Sequence, residues 1–367
     1  MELLAFLKNI SERHELWGYD EEIIGSVIWL PNGIELKERF CGLCKHVFNK
    51  KGYKQVELPF FIPLKQYKLQ KQHYNGLMPY TIKISHPRID KYGIRVLRTT
   101  SEIPFTYLFK NLSKIKNLPF KYFQIVSVFR VEKDFLPPIR ALEINPFIES
   151  YTAFLFEQEA ENQIKIEVVL YKEILDKLGI VYVISRRPKY DTFPEASYTI
   201  AFDAILPTRN VTQVATVHHL GISFAKAFQW KVKNRYPIQT STGISARVLA
   251  VMLITYYDEK EGRLFFTLKN QNNILENEKT LKVKQKLYSF IKEFSSLNEI
   301  KKEHGWIVAK LPIIDNENII LKLKERLPQE FKILGIDISQ KNRNKKRKCV
   351  ISNKITSDLV NIAREVI

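Results

Sequence analysis

Long apolar runs are missing from this sequence. No stretch approaches the roughly 20 residues needed to cross a bilayer, and the opening MELLAFLKNISERHELWGYDEE carries charges too early for a signal peptide. No membrane association and an intracellular, cytoplasmic location are therefore expected. Cysteine is scarce as well: Cys41, Cys44 and Cys349 are the only 3, too few for a disulfide framework and in keeping with a reducing compartment. Cys41-Gly-Leu-Cys44 has a metal-like spacing, yet no second CxxC or His pair accompanies it and His46 is its only near neighbour. Two small apolar residues on a helix are expected there, and no metal held by cysteines. Neither GxGxxG nor GxxxxGK[ST] occurs, which removes the two commonest glycine-rich phosphate loops. No internal repeat and no Ser/His/Asp triad is evident.

Acids are the minority charge, 39 against 58 Lys and Arg, giving a formal charge of +19. A surplus of this size attracts polyanions through long-range attraction and counterion release. It does not identify which polyanion, and a compositional habit of Lys, Ile, Asn, Phe and Tyr would produce the same number. At 45% hydrophobic and 12% aromatic residues the chain is a folded protein, and its length suits about two domains of roughly 150 residues each.

Helical spacing over 37–50 puts Phe40, Leu43, Val47 and Phe48 on one side. A strand-like stretch follows at 55–63, and 120–130 and 143–151 read as strands rich in aromatic and β-branched residues. The helix expected over 157–178 opens on acids, lines up Ile164, Val168, Tyr171, Ile174, Leu175 and Leu178, and ends at Gly179. Further strands are expected at 181–185, 197–206, 211–218 and 227–233. Strands in runs, rather than in regular alternation with helices, predict an α+β class with a mostly antiparallel sheet flanked by helices. Composition shifts near 262–267: 268–300 is polar and helical, 301–340 is mixed, and 342–348 is the basic run NRNKKRK.

Arg130 and Glu132, two apart at the end of the strand 120–130, should share a face. Arg130 could then grip a phosphate and a carboxylate while Glu132 accepts from an adenine amino group. Arg140, beyond the loop 133–139, and Arg247, opening the apolar helix 248–254, could approach the same phosphates. An exposed ion pair on a strand would read the same way in isolation.

The surrounding residues resemble the three class II aminoacyl-tRNA synthetase motifs of the archaeal/eukaryotic-type prolyl-tRNA synthetase, in order and over most of the chain. Motif 1 resembles GYKQVELPFFIP (52–63). Residues 98–102, RTTSE, are similar to R-P-T-S-E with Thr99 in place of the proline. Motif 2 runs from YFQIVSVFRVE (122–132) through Pro138-Ile-Arg140 to Phe147-Ile-Glu149. FPEASYTIAFD (193–203) and TVHHLG (216–221) resemble two further segments, and QTSTGISAR (239–247) resembles motif 3, Q-T-C-Y-G-I-S-D-R.

This resemblance implies ATP with Mg2+, and proline or a close analogue activated as its adenylate and passed to the acceptor end of tRNA. Arg130 and Arg247 would be catalytic. Arg130, Glu132, Arg140, Phe147, Gln213, Thr216 and Arg247 would hold ATP. Thr100, Glu102, Arg130, Glu149, Tyr151, Phe202, His218, Ser241 and Gly243 would line the amino-acid pocket, with Glu102 on the secondary ammonium. It also implies a homodimer through motif 1. Departures fall mainly near the pocket: Tyr151 stands for His, Glu195 for Gly, Ile222-Ser223 for Gln-Asn, Thr242 for an aromatic, Leu142 for Arg and Ala246 for Asp.

The domain expectation is a class II catalytic domain over 1–266 and a small α/β C-terminal domain over 267–367, with no anticodon-binding domain between them. HGWIVAK (304–310) and KCVISNK (348–354) resemble the family's last domain, but Ser352 replaces the second Cys of K-C-V-V-C-G-K, so a zinc site is not expected. Two other functions fit parts of this picture: a paralogue that hands its amino acid to a non-tRNA acceptor, and a non-catalytic RNA-binding or regulatory relative.

Overall fold

Phe48 shows how the sequence builds its core. It ends the apolar face Leu36, Phe40, Cys44, Val47, Phe48 of the helix Pro31–Lys50, where spacings of three and four residues keep side chains on one stripe. Its ring stacks on Phe123 at 5.0 Å and meets Tyr53 and Tyr171 edge-on. The helix thus covers a sheet strand on one side and touches a second helix on the other. Cys41 and Cys44 lie on this helix, Cys44 fully buried, as two small apolar residues should.

The computed structural model describes residues 2–264, 278–339 and 345–364. They form two compact units interleaved along the chain: Met1–Ile174, Phe193–Ser197 and Val217–Ala250 in the first, Leu175–Thr192, Tyr198–Thr216 and Val251–Ile367 in the second. The central sheet of the first unit has the order Ile238–Ser245, Glu143–Phe154, Phe120–Phe129, Lys54–Gln55, antiparallel except for the last pair. A separate three-stranded sheet places Arg95–Leu97 between Phe61–Pro63 and Lys83–Ile84. The second unit carries Ile291–Glu293, Val308–Pro312, Leu359–Ala363, Lys332–Asp337, Tyr182–Arg186 and Tyr198–Ile205 in that order, and only the first pair is parallel. Mostly antiparallel sheets with helices against them make the class α+β, as the strand runs implied.

The longest helix, Glu157–Lys177, begins with Glu157 and Glu159, whose charges suit the positive end of the helix dipole. Gly179 follows at φ 70°, a conformation other residues adopt reluctantly. Three expected strands differ from the structure. The stretch 55–63 is only partly strand, as Lys54–Gln55 and Phe61–Pro63. Phe120–Phe129 stops one residue before Arg130, so Arg130 and Glu132 lie just beyond a strand rather than on one. And 227–233 is not a strand: the helix Ser223–Ala227 leads into a turn with Gln229, Lys233 and Asn234 at positive φ, and the strand comes later, at Ile238–Ser245. The alternation of Phe228, Trp230 and Val232 mimics a strand because all three pack inward, yet left-handed Gln229 between the first two, and Lys233 and Asn234 just after the last, interrupt any ladder. Residues 342–344 of the basic run and 268–277 of the polar stretch lie outside the described residues. Among the described residues no helix is long and apolar enough to cross a membrane.

Candidate active site

Antiparallel register assembles the site in the first unit. On Glu143–Phe154, Phe147, Glu149 and Tyr151 share a face because side chains alternate. On one flanking strand their direct partners are Ser245, Gly243 and Ser241; on the other they are Val126, Gln124 and Tyr122. Residues paired across a ladder point to the same side, so motif 2 and motif 3 residues distant in sequence become neighbours. The N-terminus of the helix Glu102–Leu112 brings Thr100, Ser101 and Glu102 to the same place.

Here a buried polar network forms. Tyr151 Oη donates to Glu149 Oε2 (2.8 Å) and accepts from the Ser101 N–H (3.0 Å). Ser101 Oγ and Gln124 Nε2 donate to Glu149 Oε1 at 2.5 and 2.7 Å. Thr100 Oγ1 donates to Glu102 Oε2 at 2.7 Å and lies 3.2 Å from Tyr151 Oη. Phe105 stacks on Tyr151 at 4.1 Å. Burial pushes the Glu102 carboxyl up to about 7, helped by the adjacent Glu149 and opposed by the Thr100 and Ser241 hydroxyls. A carboxyl so placed needs a cation to be ionised comfortably. Gln124 and Ser101 escaped the sequence reading. The signal for Gln124 was a lone amide in phase with Tyr122 and Val126 on one face of the strand Phe120–Phe129.

Beside the network sits a group of cations. Arg130 Nε donates to the Thr99 carbonyl at 3.0 Å, and its guanidinium lies 5.5 Å from the centre of the Phe147 ring. Arg247 Nε donates to the Ile139 carbonyl at 2.7 Å. Arg140 Nε is buried without a hydrogen-bond partner among the described residues. Burial, then the charge of Arg130 and more weakly that of Arg140, pull Arg247 down to about 10, while Glu132 alone acts the other way. The charges of Arg130 and Arg140 thus work against that of Arg247, a repulsion that an anion would relieve. Gly243 makes room for the tip of the Phe147 ring, since a Cβ there would lie 2.9 Å from Phe147 Cζ. His218 is buried with its ring 4.5 Å from Phe193. Desolvation and then Arg130 lower it to about 3, so it is neutral at physiological pH.

Thr100, Glu102, Arg130, Glu132, Arg140, Phe147, Glu149, Tyr151, His218, Ser241, Gly243 and Arg247 all belong to the first unit, and Phe202, Gln213 and Thr216 to the second. There Phe202 is buried 5.5 Å from the Tyr182 ring. Gln213 Oε1 accepts from Arg187 Nη2 at 3.0 Å, and Arg187 also forms a two-pronged pair with Asp203 at 2.6 and 2.9 Å. Glu195, where the resemblance has Gly, keeps a left-handed φ of 71°, so a backbone form suited to glycine persists under a side chain. Away from the site, Glu157, Glu161 and His219 place one ligand atom each within 4.8 Å of the others, with both acids at least partly exposed. The cysteines are not among them.

Compared with known proteins, residues 80–256 match the family described as tRNA synthetase class II core domain (G, H, P, S and T). A solved structure of the Giardia lamblia prolyl-tRNA synthetase in complex with prolyl-adenylate superimposes with a TM-score of 0.79 at 20% identity, over 99% of this chain and 98% of that one. The fold is the class II aminoacyl-tRNA synthetase fold. The proline–tRNA ligase of Sulfolobus acidocaldarius is 39% identical over 246 residues, 65% of this chain and 51% of that protein. That of Methanocaldococcus jannaschii is 35% identical over 268 residues, 71% of this chain and 59% of that protein. The chain thus spans somewhat over half the length of these relatives. In this fold the central antiparallel strands carry Gln124, Glu149 and Tyr151 in register, while Arg130 follows a strand end and Arg247 opens a helix.

Proposed function

We propose that this chain activates the carboxylate of proline, or of a close analogue, with ATP and transfers the acyl group to the acceptor end of tRNA. The observation that carries the reading is the juxtaposition in one unit of Arg130, Arg140 and Arg247, with Glu132 beside Arg247, and of the buried acids Glu102 and Glu149. The arginines fit a polyphosphate, because each guanidinium presents planar donors to phosphate oxygens and their mutual repulsion is relieved by it. Phe147, whose ring tip fits against Gly243, suits adenine, and Glu132 its amino group. Glu102 suits the secondary ammonium of proline, a cation that would draw its carboxyl into the ionised form. The relatives' names support proline over other amino acids. Gln213, Thr216 and Phe202 enter the proposal by resemblance: the first two on the nucleotide, the third on the amino-acid ring.

In this reading Arg130 draws the amino-acid carboxylate and the α-phosphate together while Arg247 and Arg140 balance charge on the departing pyrophosphate. The work is positioning and charge neutralisation, for which no covalent protein intermediate is needed. A carboxylate set beside guanidinium groups, as Glu132 is beside Arg247, is a poor ligand for a divalent ion. Mg2+ would therefore be held by the nucleotide's own phosphates, where it supplies further charge neutralisation. A catalytic domain over 1–266, a C-terminal domain over 267–367 with no anticodon-binding domain between, a homodimer and a cytoplasmic site of action belong to the same proposal.

The test is proline-dependent pyrophosphate exchange followed by charging of total tRNA. Arg130→Ala should lower exchange by at least about a hundredfold, the size expected when one transition-state interaction of several kcal/mol is removed. Exchange at the wild-type rate in that variant overturns the assignment. A second reading, transfer to an acceptor other than tRNA, is favoured by Tyr151 replacing a His in the pocket and by the short link after Tyr256. Adenylate formation without tRNA charging at low salt would select it.

A further inference from the structure

Two stretches of the first unit contain no acid at all. Residues 110–121, KNLSKIKNLPFK, carry four lysines, and 223–236, SFAKAFQWKVKNRY, carry three lysines and an arginine. The fold lays them side by side. Lys110 Nζ donates to the Phe228 carbonyl at 2.7 Å, and Trp230 Nε1 donates to Ser113 Oγ at 2.9 Å. Beneath them Trp230 is buried against Phe105, Phe109 and Phe120, and Leu112, Leu118, Val232 and Tyr236 pack on the same cluster. The turn 228–236 is fixed by the paired residues Val232 and Arg235 and by left-handed Gln229, Lys233 and Asn234. A rigid apolar floor therefore holds Lys114, Lys116, Lys226, Lys231, Lys233 and Arg235 in solvent. None of these six forms an ion pair among the described residues.

Aromatic and apolar side chains are interleaved with the charges. Lys231 lies 5.0 Å from the Tyr236 ring, Arg235 lies 5.2 Å from the Phe156 ring, and Ile115 is 77% exposed. Structured cations held without counterions are what a phosphate backbone needs, and exposed rings beside them offer stacking to unpaired bases. A diffuse net charge would not be gathered on two acid-free segments over one hydrophobic floor. Phe156 leads into Glu157 and Glu159, so the track is assigned to the side of Lys114, Lys116, Lys231 and Lys233.

We propose that the ridge formed by 110–121 and 226–236 is an RNA-docking surface that binds the phosphate backbone without reading sequence. It rests on the proposed tRNA substrate for the identity of that RNA, and it assigns the interaction to a face of the first unit rather than to the basic run 342–348.

The experiment compares the full-length wild type with K114Q/K116Q/K231Q/K233Q and, as a control, K345Q/K346Q. Binding of unmodified tRNA transcript is measured across a salt series, alongside pyrophosphate exchange and thermal melting. Every phosphate that no longer has a lysine against it should lower the salt slope by about one, so the ridge variant should lose two or more from the slope and at least about tenfold in affinity at low salt. Its exchange rate and melting should stay those of the wild type, because none of the four lysines belongs to the proposed catalytic machinery. Wild-type affinity and slope in the ridge variant, or an equal loss in the control, overturn the proposal. A wild type that binds anionic vesicles but no RNA overturns it too. If exchange is absent from the wild type while the ridge variant alone loses RNA binding, the ridge stands and the synthetase reading falls.

Discussion

Glu102→Gln separates the chemistry of the pocket from its stability. In the folded chain the Glu102 carboxyl is displaced from its ordinary 4.5 to about 7, first by burial and second by Glu149. The folded state therefore holds a proton that the unfolded state has released between about pH 4.5 and 7. Stability from this group is complete below the unfolded value and is lost as pH rises through the folded one. Each pH unit between the two values is worth about 1.4 kcal/mol, so the loss across the window is about 3 kcal/mol. Glutamine keeps the shape, can still accept from Thr100 Oγ1, and cannot ionise. The variant should match the wild type near pH 5 and exceed it by about 3 kcal/mol at pH 8 in urea unfolding. Some slope should remain in both proteins, because burial lifts the Glu167 carboxyl to about 7 as well. The same variant should lose proline-dependent pyrophosphate exchange, since a neutral amide cannot pair the substrate's ammonium. If Glu102→Gln is destabilised by the same amount at pH 5 and pH 8, the buried proton does not exist and the reasoning is refuted.

Two further outcomes follow from other parts of the molecule. Asp203→Asn strips the charge from a carboxylate that is fully buried and grips Arg187 at two points, leaving that arginine only the longer, half-exposed pair with Asp191 at 3.5 Å, which should cost about 3 kcal/mol in chemical denaturation; a loss under about 1 kcal/mol would show that Asp191, the Leu334 carbonyl and Gln213 suffice. Phe60 and Phe61 are 44% and 47% exposed, beyond what a monomer's surface strand should show; light scattering should give a dimer for the wild type and a monomer for Phe60→Ser/Phe61→Ser, and a wild-type monomer at working concentration would remove the homodimer from the proposal.

The sequence by itself determined a good deal here, because periodicity and short-range chemistry are local. The helix ending at Gly179 was readable from an acid-led amphipathic run and a terminating glycine. The α+β class followed from strands arriving in runs. Arg130, Glu132, Arg140 and Arg247 were readable as one group only through the order of the motifs that carry them, since nothing in a linear spacing of more than a hundred residues brings Arg247 near Arg130. What the tertiary structure alone decided is the register. The pairing of Glu149 with Gln124 on one side and Gly243 on the other turns three separate segments into a single face. It buries Glu102 beside Glu149, and so raises a carboxyl that looks ordinary in sequence. The same dependence on the fold explains the misread stretch 227–233. Its alternating large residues satisfy the pattern of a strand, but Trp230 is anchored on Ser113, more than a hundred residues earlier, and that anchor bends the chain into a left-handed turn and turns its lysines outward. Local pattern records which side chains prefer burial. Only the packed chain settles which partners bury them, and partner identity sets both the charge on Glu102 and the exposure of Lys231 and Lys233.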